Sequence, residues 1–292
     1  MEFFLQILVN GISLGFLYAL SALGFVMIFK SSSVLNLAHG ELLAIGAFVF
    51  LVLSTWANLP ITLAFAFTLV GTFALGFVVE RFFLRPLIGE ELIHVIMLTL
   101  GIGIMFKGLL LFIFGGDIHE YRAFLPEALS IKWGMIRIPS VNVATFIIGI
   151  LFLIIFGFFF KYSSQGIYMR SVADNQTAAQ SLGVHVRRVF ALSWAIAFIV
   201  AAMSGIVLGI INGINVHELS AIGLKVFPVV ILGGLDSIGG AILGGLIIGL
   251  IETFTGGYVS TSLREIVPFI VLIVILMVKP YGLFGLVEIE RV

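Results

Sequence analysis

Residues 141–160 have the sequence VNVATFIIGILFLIIFGFFF, a stretch without a single charged side chain. A helix of about 20 predominantly apolar residues crosses the roughly 30 Å hydrocarbon core of a bilayer. Further charge-free runs cover 3–29, 42–79 and 189–217. The stretch is therefore one of several membrane spans, and the sequence predicts an all-α polytopic membrane protein.

The composition excludes several other classes of protein. The 292 residues are 61% hydrophobic and only 10% charged, which is more apolar surface than a soluble core of this size needs. Lys plus Arg and Asp plus Glu number 15 each, and no basic patch suits nucleic acid. The absence of cysteine removes disulfides and thiol chemistry from consideration.

The apolar runs predict eight or nine membrane helices, or ten if the first run splits. The first run lacks a positively charged leader and a small-residue cleavage site, so we expect a retained first helix. One short segment, 222–235, contains Lys225 and Pro228 and either crosses or re-enters the membrane, with a break near 222–240. The predicted spans are 4–29, 39–57, 61–80, 92–114, 141–160, 189–212, 222–235, 239–257 and 265–279.

The distribution of Lys and Arg predicts the orientation of these spans. With the N-terminus outside, most basic residues lie in cytoplasmic segments, as the positive-inside rule requires. The segments 80–91 and 161–188 are then cytoplasmic, and 115–140 is an external loop. We expect residues 1–292 to form a single transmembrane domain.

The segment 161–188 is the longest polar stretch on the predicted cytoplasmic side. Asp174 is a good helix N-cap, and Gly183 is a natural left-handed stop after the helix end. Between them, Asn175 to Leu182 make about two turns of helix. The segment is either an ordered loop or a short capped helix that docks onto another protein.

Paired glycines mark a second candidate site. Gly233-Gly234 and Gly239-Gly240 bracket Leu-Asp-Ser-Ile, in which Asp236 and Ser237 could cap the next helix. One interpretation is a tight turn between helices. The other is a broken helix beside a translocation path, where exposed amides meet a polar substrate.

A third candidate is the stretch VLNLAHGELLAIGAF at 34–48. Asn36 can cap the following helix, and Glu41 then lies in its first turns. A proton relay would need a chain of intramembrane acids, which the sequence lacks. His39 and Glu41 are two apart and share no helix face, so a metal site is disfavoured. The remaining interpretation is that this stretch is the capped start of a helix close to a translocation path.

Enzymatic activity is disfavoured. The chain has no G-x-x-x-x-G-K-[ST] motif, so it binds no nucleotide through a P-loop. It also has no H-E-x-x-H motif and no plausible pairing of a nucleophile with a base.

The segments taken together resemble the branched-chain amino acid permeases of ABC importers, of the LivH type. The combination of N-x-A-H-G-E with G-G-x-x-S-I-x-G is specific, and the similarity covers essentially the whole chain. The segments that carry it are LYALSALGFVMIFK (17–30), NLAHGELLAIGAF (36–48), ERFFLRPL (80–87), YSSQGIYMRSVADNQTAAQSLGV (162–184), ILGGLDSIGGAILGGLIIGLIE (231–252) and KPYGLFG (279–285).

The resemblance implies an ABC importer permease bundle in the bacterial plasma (inner) membrane. Its partners would be two cytoplasmic ATPase subunits, a second homologous permease in a heterodimer, and an external solute-binding protein. ATP would bind only to the partner subunits, so the chain would need no cofactor. The helix near 174–182 would couple to an ATPase through Arg170, Asp174, Asn175, Gln176, Ala178, Ala179, Leu182 and Gly183.

The translocation path would include residues of the other two candidate sites: Asn36, His39, Glu41, Gly233, Gly234, Asp236, Ser237, Gly239 and Gly240. The glycine motif departs from the family pattern, because Asp236 replaces a small residue and Gly239 replaces a proline. The motif therefore does not decide between several substrates, namely branched-chain or other neutral amino acids, urea and short-chain amides. Two rivals are a stand-alone ion-coupled secondary transporter and a purely structural membrane subunit.

Overall fold

The computed structural model describes residues 2–87, 89–121, 130–133 and 136–285. Eleven α-helices account for most of these residues: α1 (Glu2–Ser32), α2 (His39–Leu51), α3 (Ile61–Val79), α4 (Leu92–Phe114), α5 (Ser140–Tyr162), α6 (Ser164–Asp174), α7 (Gln176–Ser181), α8 (Val186–Asn212), α9 (Val216–Gly233), α10 (Ile238–Tyr258) and α11 (Thr261–Val278). Short π-helical turns extend α2 over Val52–Trp56 and α3 over Glu80–Leu84.

The predicted membrane spans are confirmed within the described residues. Nine helices there are long and apolar enough to cross a bilayer, namely all except α6 and α7. The first apolar run stays one continuous helix of 31 residues. Asn58, with a positive φ of 53°, and Pro60 separate the second span from the third.

The short segment at 222–235 is part of a longer helix. In the structure α9 begins at Val216 and has 18 residues, with Pro228 inside it. It starts early because the Oδ1 atom of Asn215 accepts hydrogen bonds from the backbone N–H groups of His217 and Glu218. The helix ends at Gly233, so a break does occur within 222–240.

The chain divides into two compact units. The first contains the described residues of Met1–Val26, Leu125–Phe152 and Lys225–Val292, and the second those of Met27–Phe124 and Leu153–Leu224. Helices α1, α5 and α9 contribute residues to both units.

The core of the second unit is formed by α2, α3 and α8. Helix α2 is buried along nearly its whole length. A side chain at Gly205 of α8 would collide with the backbone carbonyl of Leu43, and one at Gly46 of α2 would collide with Ala202. Small residues allow helix backbones to approach closely inside a membrane. This contact therefore fixes α2 against α8.

In the first unit, α10 packs closely against α1 because glycines again allow the two backbones to approach each other. A side chain at Gly249 would collide with the backbone of Gly15, and one at Gly15 would collide with Leu246. Helix α11 packs against α10 in the same unit.

The predicted external loop, 115–140, is only partly described, because 122–129 and 134–135 lie outside the described residues. In the second unit, His119 and Ile214 exchange backbone hydrogen bonds of 2.9 and 2.8 Å. The Tyr121 hydroxyl donates to the Ala47 carbonyl at 3.1 Å, and burial raises the pKa of Tyr121. In the first unit, β1 (Ile131–Trp133) pairs with β2 (Ile136–Ile138) in an antiparallel hairpin.

Candidate functional site

The polar segment 161–188 contains two helices, α6 and α7. The Ser163 hydroxyl caps α6 by accepting from the Gly166 N–H at 2.9 Å. Gly166 packs directly against the carbonyl groups of Phe159 and Phe160 in the last turn of α5. The segment is therefore a folded element rather than an open loop.

The prediction that Asp174 caps the short helix is wrong by one residue. Asp174 is the last residue of α6, and Asn175 is the N-cap of α7. Asn175 adopts an extended backbone, and its Oδ1 accepts from the Ala178 N–H at 2.9 Å. Asp and Asn are similarly good N-caps. The choice of Asn175 places Ala179 on the buried side of α7.

The predicted helix stop is confirmed. Gly183 follows the C-cap residue Leu182 with a positive φ of 85°. Its N–H donates to the Gln180 carbonyl, and the Val184 N–H donates to the Ala179 carbonyl at 3.0 Å. The left-handed conformation favours glycine and satisfies carbonyl groups at the helix end.

The exposure of α7 is strongly one-sided. Ala179 is buried, whereas Asp174, Asn175, Gln176 and Ala178 are exposed. Leu182 has 84% of its surface exposed. Arg170 is half-buried and donates to the Lys161 carbonyl at 3.3 Å. The segment thus presents polar side chains and one exposed leucine.

A cavity of about 200 Å³ lies beside α7 in the second unit. We call it the α7 cavity. Its wall includes Gln176 of α7 and the α1–α2 connection at Ser32, Ser33 and Val34. Buried Glu80, which pairs with Arg85 at 3.0 Å, also lines it. The short helix and the α1–α2 connection therefore border one shared space.

Asn36 does not cap α2 as predicted. The N-cap position is Ala38, which makes no side-chain cap hydrogen bond, and α2 begins at His39. The Asn36 Oδ1 instead accepts from the Ala38 N–H at 3.1 Å, which closes an Asx turn before the helix. Glu41 does lie in the first turn, as predicted.

The surroundings of this turn are unusually tight. Gly40 packs on the backbone of Gly223 and Ser220 in α9, and Glu41 lies beside Gly103 of α4. Asn36 and His39 have 0% exposure. Among the described residues, the Asn36 Nδ2 and the Ser220 Oγ are buried without a hydrogen-bond partner. Such atoms are uncommon and need a reason.

The paired glycines form a tight turn between α9 and α10. Ser237 caps α10, as predicted, with its Oγ accepting from the Gly240 N–H at 3.0 Å. Asp236 is half-buried and is not the cap residue. Gly234 has a φ of 105°, and a side chain at Gly233 would collide with the Gly240 carbonyl. Gly239 faces open space.

The C-terminal KPYGLFG segment binds this turn. The Leu283 N–H donates to the Leu232 carbonyl at 2.8 Å, and the Phe284 N–H donates to the Gly233 carbonyl at 3.0 Å. The final carbonyls of a helix have no partner inside the helix. The segment therefore caps α9, a role that its sequence alone did not indicate.

The first unit also contains a buried charge cluster. Glu252 of α10 is 1% exposed and accepts from the Tyr18 hydroxyl at 2.6 Å, the Lys225 ammonium at 3.0 Å and the Arg264 guanidinium at 3.2 Å. Lys225 also pairs with Glu265 at 2.7 Å. The two cations and two carboxylates balance formally. No sequence pattern indicates the cluster, because its members come from four different helices.

The predicted site residues fall into both units. The coupling residues and the stretch Asn36–Glu41 belong to the second unit, and the glycine turn at Gly233–Gly240 belongs to the first. Their helices and turns define a multi-pass α-helical membrane protein.

Comparison with known proteins identifies the family. Residues 7–276 match the family described as branched-chain amino acid transport system / permease component. The chain therefore belongs to this family and is a permease component in the bacterial plasma membrane.

Individual relatives match over almost the whole length. The chain is 31% identical to the high-affinity branched-chain amino acid transport system permease protein LivH of Escherichia coli strain K12, over 99% of this chain and 98% of LivH. It is 29% identical to the corresponding permease protein BraD of Pseudomonas aeruginosa, with the same two coverages.

A solved structure has the same fold. The match is a chain of PsaBC from Streptococcus pneumoniae in complex with Fab, with a TM-score of 0.52 and 14% sequence identity. It covers 96% of this chain and 93% of that one.

Proposed function

We propose that this chain is the membrane-spanning permease subunit of an ATP-driven importer for branched-chain or other neutral amino acids. Two separate cytoplasmic ATPase subunits bind the ATP, and the chain itself has no ATPase site and needs no cofactor. An external binding protein delivers the substrate. The names of LivH and BraD support this substrate class.

The exposed Leu182 at the end of capped helix α7 carries this proposal. Leu182 is 84% exposed at the C-terminal end of α7, where its apolar side chain can enter an apolar groove that receives this helix. Helix α7 packs on α8, whose 27 residues cross the membrane. A push on α7 by an ATPase therefore reaches a transmembrane helix directly.

The α7 cavity supports a second route for this motion. Gln176 and the α1–α2 connection line the same space, so a shift of α7 alters the surroundings of the turn at Asn36. Alternating access requires such a link between the ATPase contact and the helices around the path. We place the coupling surface on Arg170, Asp174, Asn175, Gln176, Ala178, Leu182 and Gly183, with buried Ala179 as its anchor.

Reconstitution tests the function. The chain is co-expressed with candidate ATPases, a homologous permease and a binding protein, and labelled leucine uptake into proteoliposomes is measured. We expect uptake that requires ATP and every subunit, with labelled urea and acetamide as alternative substrates. Uptake by this chain alone, driven by an ion gradient, would instead identify a secondary transporter. The mass of the purified complex shows whether a second permease is present.

We also propose that the turn at Asn36, with His39 and Glu41, borders the translocation path. The support is the buried Asn36 Nδ2, which has no partner in the described part of the chain and can donate to a passing carboxylate or carbonyl group. The glycine turn, with Gly233, Gly234, Asp236, Ser237, Gly239 and Gly240, is proposed as a second element of the path.

Asn36→Ser tests this assignment. Serine can keep the turn to Ala38 but removes the Nδ2 donor. We expect uptake to fall about tenfold, the value of one good hydrogen bond, with unchanged ATPase association. The matched control is Asn142→Ser, because the Asn142 Nδ2 already donates to Asn10. Equal losses in both variants, or a lower thermal midpoint for Asn36→Ser alone, would assign Asn36 a structural role.

A further inference from the structure

A groove between the predicted cytoplasmic ends of α3 and α8 combines an apolar floor with a basic rim. We call it the α3–α8 groove. It has a volume of about 440 Å³ and lies entirely within the second unit. Phe77, Ala191 and Leu192 form its apolar floor, and Arg81, Arg85 and Arg188 form its basic rim. Glu80 and Gln165 complete the lining.

The helix geometry explains this arrangement. Arg81 follows Phe77 by four residues on the α3 side, and Arg188 precedes Leu192 by four residues on α8. Residues four apart lie on one face of a helix, so each arginine stands one turn from an apolar side chain. The two helices are held together at Gly76, where a side chain would meet the backbone of Ala195.

Only one of the three rim charges is neutralised by a carboxylate of the described residues. Arg85 pairs with Glu80 at 3.0 Å, which satisfies one cation. Arg81 and Arg188 are exposed, and neither guanidinium has an acidic partner among the described residues. The rim therefore carries two uncompensated positive charges beside an apolar surface.

We propose that this groove binds an anionic phospholipid of the inner leaflet. The phosphate lies between Arg81 and Arg188, and an acyl chain lies along Phe77 and Leu192. The guanidinium group of arginine can donate two parallel hydrogen bonds to phosphate oxygens. Basic pockets between helices on the cytoplasmic side of membrane proteins bind anionic lipid headgroups.

A lipid fits this groove better than a cytoplasmic protein does. Phe77 and Leu192 belong to membrane-spanning helices, so the floor of the groove is reached from the hydrocarbon layer. The outward side of α3 at this level is also strongly apolar, with Phe82 67% exposed next to Arg81. An acidic segment of an ATPase would match the rim but not the floor.

Native mass spectrometry of the full-length purified chain tests the proposal. Delipidated protein is titrated with phosphatidylglycerol or with zwitterionic phosphatidylethanolamine. We expect a clear preference for phosphatidylglycerol. The double variant Arg81→Gln with Arg188→Gln should bind it about thirtyfold more weakly, and each single variant about fivefold more weakly.

Arg187→Gln is the matched control, because Arg187 is exposed on the same helix but does not line this groove. Its binding should equal that of the unmodified chain. Unchanged lipid affinity in the single and double variants would overturn the proposal, and so would an equal loss in Arg187→Gln. Retained lipid binding with lost ATPase association would assign the groove to the protein partner instead.

Discussion

Leu182→Asp should abolish ATP-driven uptake while the chain still folds and inserts. Leu182 is 84% exposed, so the substitution leaves the packing of the isolated chain intact. In the assembly, however, the carboxylate would be buried in an apolar groove without a partner. The cost of several kcal/mol for such a charge predicts at least about 100-fold weaker association with the ATPase.

Two further variants make this result specific. Ser164→Asp introduces the same charge at the exposed first residue of α6, where a helix N-terminus favours it. It should leave uptake unchanged. Leu182→Met keeps an apolar side chain and should retain most of the activity. Normal uptake by a well-expressed Leu182→Asp variant would refute the coupling assignment.

Glu252→Leu should have the largest effect on stability. The substitution removes the common acceptor of Tyr18, Lys225 and Arg264 and leaves Lys225 buried with only Glu265. Breaking a buried ion pair by removing one partner costs about 3–5 kcal/mol. We expect the thermal unfolding midpoint of the detergent-purified chain to fall sharply.

Glu265→Gln is the control, since Glu265 is 64% exposed and its ion pair should contribute at most about 1 kcal/mol. The double variant Glu252→Leu with Lys225→Met should recover part of the loss, because it leaves no buried cation without its main partner. If Glu252→Leu lowered the midpoint no more than Glu265→Gln, the cluster would not stabilise the fold.

The spans were predictable because a bilayer imposes a simple length and composition on them. Charge-free runs such as 141–160 therefore located the helices to within a few residues. The start of α9 was the main exception. His217, Glu218 and Lys225 gave that end of the helix a polar sequence, although Asn215 caps it and Lys225 finds carboxylate partners.

Local rules predicted part of the sites. Gly183 and Ser237 were correctly identified as stop and cap, because both depend only on neighbouring residues. Asp174 and Asn36 were misassigned as caps, because burial of Ala179 and the close packing of Gly40 decided the helix register. Such packing depends on residues far away in the sequence.

Contacts between residues that are far apart in the sequence could not be predicted. Tyr18 and Glu252 are separated by 234 positions, yet their side chains form a 2.6 Å hydrogen bond. The KPYGLFG sequence indicates the family but not a structural role. In the structure, its backbone N–H groups donate hydrogen bonds to the last carbonyl groups of α9. Neither contact leaves a periodic pattern in the sequence.

The contact between α7 and an ATPase is the central claim, and a cross-link tests it most directly. The chain has no cysteine, so Leu182→Cys introduces a single thiol. In the assembled complex, we expect a short thiol-reactive cross-linker to join this position to the ATPase subunit, with a yield that changes when ATP is added. Glu120→Cys, exposed on the predicted external side, should give no such product. Absence of the cross-link at position 182, or an equal yield from position 120, would contradict the account.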